Sequence, residues 1–175
     1  MATPAPAATQ ADTSRHRAPD PASRPVVFRA GVEHLGELAA LFDAYRTFYR
    51  RPSDLDGARH FLRERLAGNE SVVFAARHPE TNGLAGFTQL YPTFSSVRMR
   101  RVWTLNDLFV AEDARGRGVA RELMAAARAF AVETGAASIQ LETEQANAPA
   151  QALYDGLGYG RSSGSVHYEL MLEGA

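Results

Sequence analysis

Residues 114–123 read A-R-G-R-G-V-A-R-E-L and join two segments of different hydrophobic period. Ahead of them, residues 97–110 (V-R-M-R-R-V-W-T-L-N-D-L-F-V) alternate in part, as a long strand does. Behind them, Val119, Ala120, Leu123, Met124, Ala127, Phe130 and Ala131 share one face of a helix over 119–134, and Gly135 suits its C-terminal end. A strand, a glycine turn and a helix in that order build an anion site. The first N–H groups of a helix lack internal partners and carry partial positive charge. Glycines let phosphate oxygens approach several of them at once. Arg115, Arg117 and Arg121 can add charge-assisted contacts. A solvated, arginine-rich helix start is the competing reading of the glycine pair alone.

Exclusions narrow the anion. All 19 Lys-plus-Arg residues are arginine, so no Schiff-base lysine and no Walker lysine exists. Gly116 and Gly118 match only the first half of G-x-G-x-x-G, because Arg121 stands where close helix–strand packing wants a small residue. With no cysteine, thiolate ligands, Cys nucleophiles and acyl-cysteine intermediates are excluded. A net charge of −1 argues against bulk attraction to nucleic acid or acidic membrane. Arg98, Arg100 and Arg101 lack the interleaved aromatics of a single-strand groove and read as a solvated strand end. The five histidines (16, 34, 60, 78, 167) show no ligand spacing, so no metal site is expected.

At 175 residues, the chain is long enough for one domain with a sizeable core. Residues 1–25 are rich in Pro, Ala, Thr and Ser, with no apolar run, and read as a disordered tail rather than a secretory signal. Residues 26–175 read as a single domain, and no stretch approaches the ~18 apolar residues of a membrane span. A soluble, cytoplasmic protein is expected. Strands are predicted at 26–29, 71–77, 84–93, 97–110, 138–144 and 167–172. Helices are predicted from 33, after a cap at Ser53 or Asp54, over 119–134 and over 150–157. The order β-α-α-β-β-β-α-β-α-β implies an α/β (α+β) architecture, a mixed sheet covered by helices.

The loop also reads R-x-x-G-x-A, Arg115 to Ala120, flanked by L-N-D-L-F-V, the amphipathic helix, L-E-T-E, Asn147 and A-L-Y-D-G-L-G-Y. In this combination the sequence resembles the GNAT superfamily of acyl-CoA-dependent N-acetyltransferases. The resemblance covers roughly residues 25–172 and is most specific from Trp103 to Tyr159. Y-P-T-F-S-S and L-N-D-L-F-V are most similar to members related to polyamine and small-amine acetyltransferases.

That resemblance implies the GNAT fold: a central, mostly antiparallel sheet splayed between its fourth and fifth strands, with helices on both faces. It implies acetyl-CoA as co-substrate, with backbone groups of Leu108, Phe109 and Val110 on the acetyl and pantetheine arm. The pyrophosphate would lie on the loop of Arg115, Gly116, Arg117, Gly118, Val119, Ala120 and Arg121. Asn147 matches a pantetheine contact, or is a helix N-cap, or both. Tyr154 matches the phenol that protonates the departing thiolate. Asp107 and Glu142 are the candidate bases, directly or through a water chain. Strand alternation places Asn106 on the face opposite Asp107, and relatives carry an acidic residue where this chain has Asn106. Asn106, Tyr91 and Asp54, with Asp56 and Phe94, are expected around the acceptor. The implied reaction is transfer of an acetyl group to a primary amine of a small molecule, by direct attack in a ternary complex. A non-catalytic acyl-CoA sensor and a protein-tail acetyltransferase stay open as alternatives, and a homodimer is the family's habit.

Overall fold

A computed structural model describes residues 24–78, 80–162, 164, 166 and 168–172. The expected tail over 1–25 falls almost wholly outside this range. Its elements in chain order are β1 (Val27–Ala30), a 3-10 turn (Val32–His34), α1 (Leu35–Phe48), α2 (Leu55–Ala67), β2 (Val72–Arg77), β3 (Leu84–Ser95) and β4 (Arg100–Val110). A second 3-10 turn (Glu112–Ala114), α3 (Val119–Glu133), β5 (Ser138–Gln140) and α4 (Ala148–Gly156) follow. The strands form one mixed sheet in sequence order. Pairs from β1 to β4 are antiparallel, while β5 runs parallel to β4.

β2 shows why the sheet lies at the centre. Its run V-V-F-A-A is buried on both faces. Val72, Phe74 and Ala76 point into a core with Val119, Leu123, Met124 and Ala127 of α3, which Leu153 of α4 and Leu157 just past its end extend. Val73 and Ala75 point the other way, against Leu38, Phe42, Ala58 and Leu62 of α1 and α2. The buried indole of Trp103 is satisfied by Thr134, 2.9 Å away at the end of α3. Asp54 caps α2 by accepting from the Gly57 N–H at 2.9 Å.

Two expectations change. β5 ends at Gln140 rather than at 144, because its pairing with β4 stops there. For the last expected strand, His167 lies outside the described residues, and 168–172 carry no regular structure. Tyr168, Leu170, Met171 and Leu172 are exposed there.

Gly86 sets how closely α3 approaches the sheet. A Cβ at this position would stand 2.6 Å from the Phe109 carbonyl oxygen, 3.2 Å from Val119 Cγ1 and 3.3 Å from Leu123 Cδ1. Backbone cannot move aside cheaply, so Gly86→Ala should cost about 2 kcal/mol of stability, read as a lower urea midpoint.

Candidate active site

The site begins with a register change. Gln89 of β3 faces Asp107 of β4, but the next residue, Leu90, faces Leu105. Asn106 is therefore an extra residue on β4, a bulge, which bends a strand and sharpens its twist. β5 pairs with β4 only through Val102, Thr104 and the residue between them, just before the bulge. Beyond it the two strands part around a cleft of about 390 Å³, lined by Thr104, Asn106, Gln140, Leu141 and Glu142. Past the parting, no strand among the described residues pairs with the β5-facing edge of β4. The Phe109 side chain is not on this edge; it is buried among Tyr45, Phe48 and Phe87.

The bulge overturns simple alternation for Asn106. Instead of lying on opposite faces, Asn106 and Asp107 are joined, with Nδ2 of Asn106 3.2 Å from both carboxylate oxygens. Asp107 is only 4% exposed. Thr88 Oγ1 holds its main-chain carbonyl at 2.8 Å. Burial pushes the Asp107 carboxyl above its ordinary range, while donors on Tyr45 and Asn106 pull it partly back. Three tyrosines feel this carboxylate. Tyr91 is pushed up to about 12, first by burial and then by the Asp107 charge. Tyr45 is raised by burial and then by Asp107. Tyr49 is raised by burial, then by Glu144 and Asp107. Tyr91 is among the residues expected around the acceptor, whereas Tyr45 and Tyr49 are not among the expected site residues. The available signal was two phenols, i and i+4, whose hydroxyls need partners once buried.

The loop after β4 has the geometry of an anion cradle. Gly116 and Gly118 have φ of +75° and +80°, a left-handed conformation that side chains resist. A Cβ at either would meet nothing within 4 Å, so their backbone is open. Helix geometry leaves the first N–H groups of α3, at Val119, Ala120 and Arg121, aimed out of its start. The arginines differ in their engagement. Arg115 Nε donates to the Val110 carbonyl at 3.1 Å, and its guanidinium lies 5.6 Å over Phe48. Arg117 is paired with Glu80, whose carboxyl it holds below the ordinary range. Arg121 extends toward Gly156 of α4.

On α4, Asn147 acts as N-cap, its Oδ1 accepting from the Ala150 N–H at 3.3 Å. Tyr154 is half-buried, with its ring 5.9 Å from Tyr159. Burial raises its phenol pKa first, then the nearby Tyr49 and Tyr159. Tyr154 stands between the Tyr45–Tyr49 side and a larger groove of about 730 Å³ along the outer edge of β5. Glu142 lines the inner cleft. Asp54 is engaged apart from these residues, between Asp43 and Gly57. Among the described residues, no group of three His, Asp or Glu could hold a metal, and no helix is long and apolar enough to cross a membrane.

Known proteins match this arrangement. The acetyltransferase (GNAT) family pattern covers residues 38–159. An uncharacterized N-acetyltransferase, YhfO, of Bacillus subtilis is 50% identical over 141 residues, 80% of this chain and 93% of the relative. A probable acetyltransferase of Haemophilus influenzae is 34% identical over 104 residues, 59% of this chain and 70% of that protein. A crystal structure of a probable acetyltransferase superposes with a TM-score of 0.80 at 40% identity, covering 86% of this chain and 99% of the other. With the parted strands and the glycine loop, these matches establish that the chain belongs to the GNAT acetyltransferase family.

Proposed function

We propose that the protein moves an acetyl group from acetyl-CoA, the family's co-substrate, to a primary amine of a small molecule by direct attack in a ternary complex. The observation that supports this reading is the parting of β4 and β5 around a cleft lined by Asn106 and Glu142, together with the open glycine loop that leads into α3. The residues present fit the co-substrate. The open backbone of Gly116 and Gly118 and the first turn of α3 suit a pyrophosphate. The unpaired edge of β4 suits the amides of a pantetheine arm, which can extend a sheet as a strand does.

An ammonium ion has no lone pair, so it must lose a proton before it attacks. Asp107 accepts that proton, directly or through water, and its raised pKa brings it nearer the range in which a base is efficient. The amine nitrogen then bonds to the thioester carbon and the carbon–sulfur bond breaks. Tyr154, still protonated at neutral pH, donates its proton to the departing sulfur, and the second proton that the nitrogen sheds as the amide forms restores the phenol, directly or through water. Main-chain N–H groups of β4 stabilise the developing oxyanion. Glu142 lies on the cleft wall and, with Glu144 near Tyr49, gives the acceptor side an acidic character suited to a cation.

Three experiments test this. Thiol release from acetyl-CoA, measured across polyamines, aminoglycosides, amino acids and peptides, should identify a small primary amine as acceptor. With that amine, Tyr154→Phe should lower kcat about 10²-fold and leave CoA affinity nearly unchanged. An unaltered kcat overturns the acid role. By calorimetric titration, Gly118→Val should abolish CoA binding, because a β-branched residue resists φ of +80°, whereas Arg117→Ala should only weaken it.

Asp107 also makes a stability prediction. Its pKa is raised on folding, so the stability it contributes is full below about 3.8 and is lost as pH rises through the folded value. At neutral pH the buried charge is therefore a cost. Asp107→Asn should lose activity and yet melt roughly 2–4 °C higher at pH 7, with the difference closing toward pH 3.5.

A further inference from the structure

Tyr45 lies on α1, outside the loop and strands that carry the rest of the site, yet its surroundings are as specific as theirs. Its ring meets Phe87 of β3 at 5.8 Å and 88°, and Phe109 of β4 at 5.9 Å and 64°. Phe87 and Phe109 are themselves cross-strand partners, and the next pair along this same face is Gln89 with Asp107. Phe42 at 5.9 Å and Tyr49 at 5.1 Å close the ring in from its own helix. Packed over the Phe87–Phe109 pair, the ring lies one step along this face from Asp107, and the Tyr45 hydroxyl helps hold that carboxyl down against the effect of burial.

The surroundings of Asp107 make that hydroxyl consequential. From β4 itself, the Asn106 amide donates to the carboxylate. From β3 come Gln89, whose amide is turned to Ser71 at 2.7 Å, and the phenol of Tyr91, with Arg65 and Glu70 close to it. From α1 and its C-terminal end come Tyr45 and Tyr49, and Tyr49 in turn is near Glu144 and Tyr154. Among the described residues, none of the groups that set the Asp107 carboxyl is a cation. Its donors among the described residues, Asn106 and Tyr45, are both neutral, and Tyr45 comes from the helical layer.

We propose that Tyr45 is a positioning residue that orients Asp107 and keeps it ionised for proton transfer, an inference that rests on the reading of Asp107 as the base. A neutral donor is a suitable partner for this purpose. An arginine or lysine would hold the carboxylate so firmly in its charged form that it would be a weak base. A phenol stabilises the charge less and leaves the carboxylate able to take a proton from an ammonium ion. The phenol cannot easily lose its own proton here, because burial and the adjacent Asp107 charge both oppose ionisation.

The test is the titration of Asp107 in full-length protein labelled with ¹³C at the aspartate carboxyl, its resonance assigned by its absence in Asp107→Asn. Tyr45→Phe keeps the ring contacts and removes only the donor. Its Asp107 midpoint should lie about one pH unit above wild type, the size expected for a lost hydrogen bond to a charged group. An unchanged midpoint overturns the proposal. Wild-type protein gives a second readout that needs no variant: the Tyr45 hydroxyl proton should be protected from exchange while Asp107 is ionised, and exchange at the solvent rate overturns the proposal. The acid limb of kcat/KM for the amine found by thiol release separates this inference from the reading beneath it. If Asp107→Asn keeps the wild-type limb while the carboxyl midpoint still shifts in Tyr45→Phe, the base assignment fails and the coupling of Tyr45 to Asp107 stands. If Asp107→Asn abolishes the limb and Tyr45→Phe leaves both limb and midpoint in place, the base stands and Tyr45 has no part in it.

Discussion

One extra residue in β4 organises the site. Before Asn106, the strand sends Trp103 and Leu105 into the core beneath α3. After it, Phe109 enters the core beneath α1 and α2, and Asp107 joins it on that side. A strict two-residue alternation would keep 105, 107 and 109 on one face, so the bulge inverts everything beyond it. The same bend comes where β5 stops pairing, and so the cleft opens beside Asn106. The side-chain inversion and the parted strands sit at one irregularity in the ladder.

The buried carboxylate shows how energies are balanced there. Taking a charge out of water costs several kcal/mol even after relaxation. Hydrogen bonds to a charged group return about 1.5–3 kcal/mol each. Two neutral donors, from Asn106 and Tyr45, therefore offset much of the cost but not all of it, and the net shift of Asp107 remains upward. The glycine loop is balanced differently. It relies on main-chain groups whose partial charges come from the helix itself, and two of its arginines are engaged with protein partners, Val110 and Glu80.

Much of this was legible in the sequence, for identifiable reasons. α3 and its glycine turn could be read because helix period and backbone freedom are local properties. Asp54 and Asn147 could be read as caps because a cap bonds to its own first turn. The bulge could not, since a register change belongs to two strands at once and neither strand's pattern records where the other slips. β5 was overextended for the same reason: L-E-T-E suits extended backbone, but the partner has already turned away. Tyr45 carries the period of an apolar helix face, and its ring does pack against the core. Its hydroxyl acquires a role only when β4, sixty residues later in the chain, brings Asp107 beneath it.

Because β4 feeds one hydrophobic layer before the bulge and the opposite layer after it, the site has no scaffold belonging to either layer alone. Removing α1 and α2 would return water to Asp107, while loosening α3 would undo the loop and the entry to the cleft. Each half of the site thus depends on contacts made by the other half's core, as coupled parts of one cooperative unit do. Partial unfolding therefore leaves no competent fragment, and catalytic capacity reports directly on the intact population of the chain.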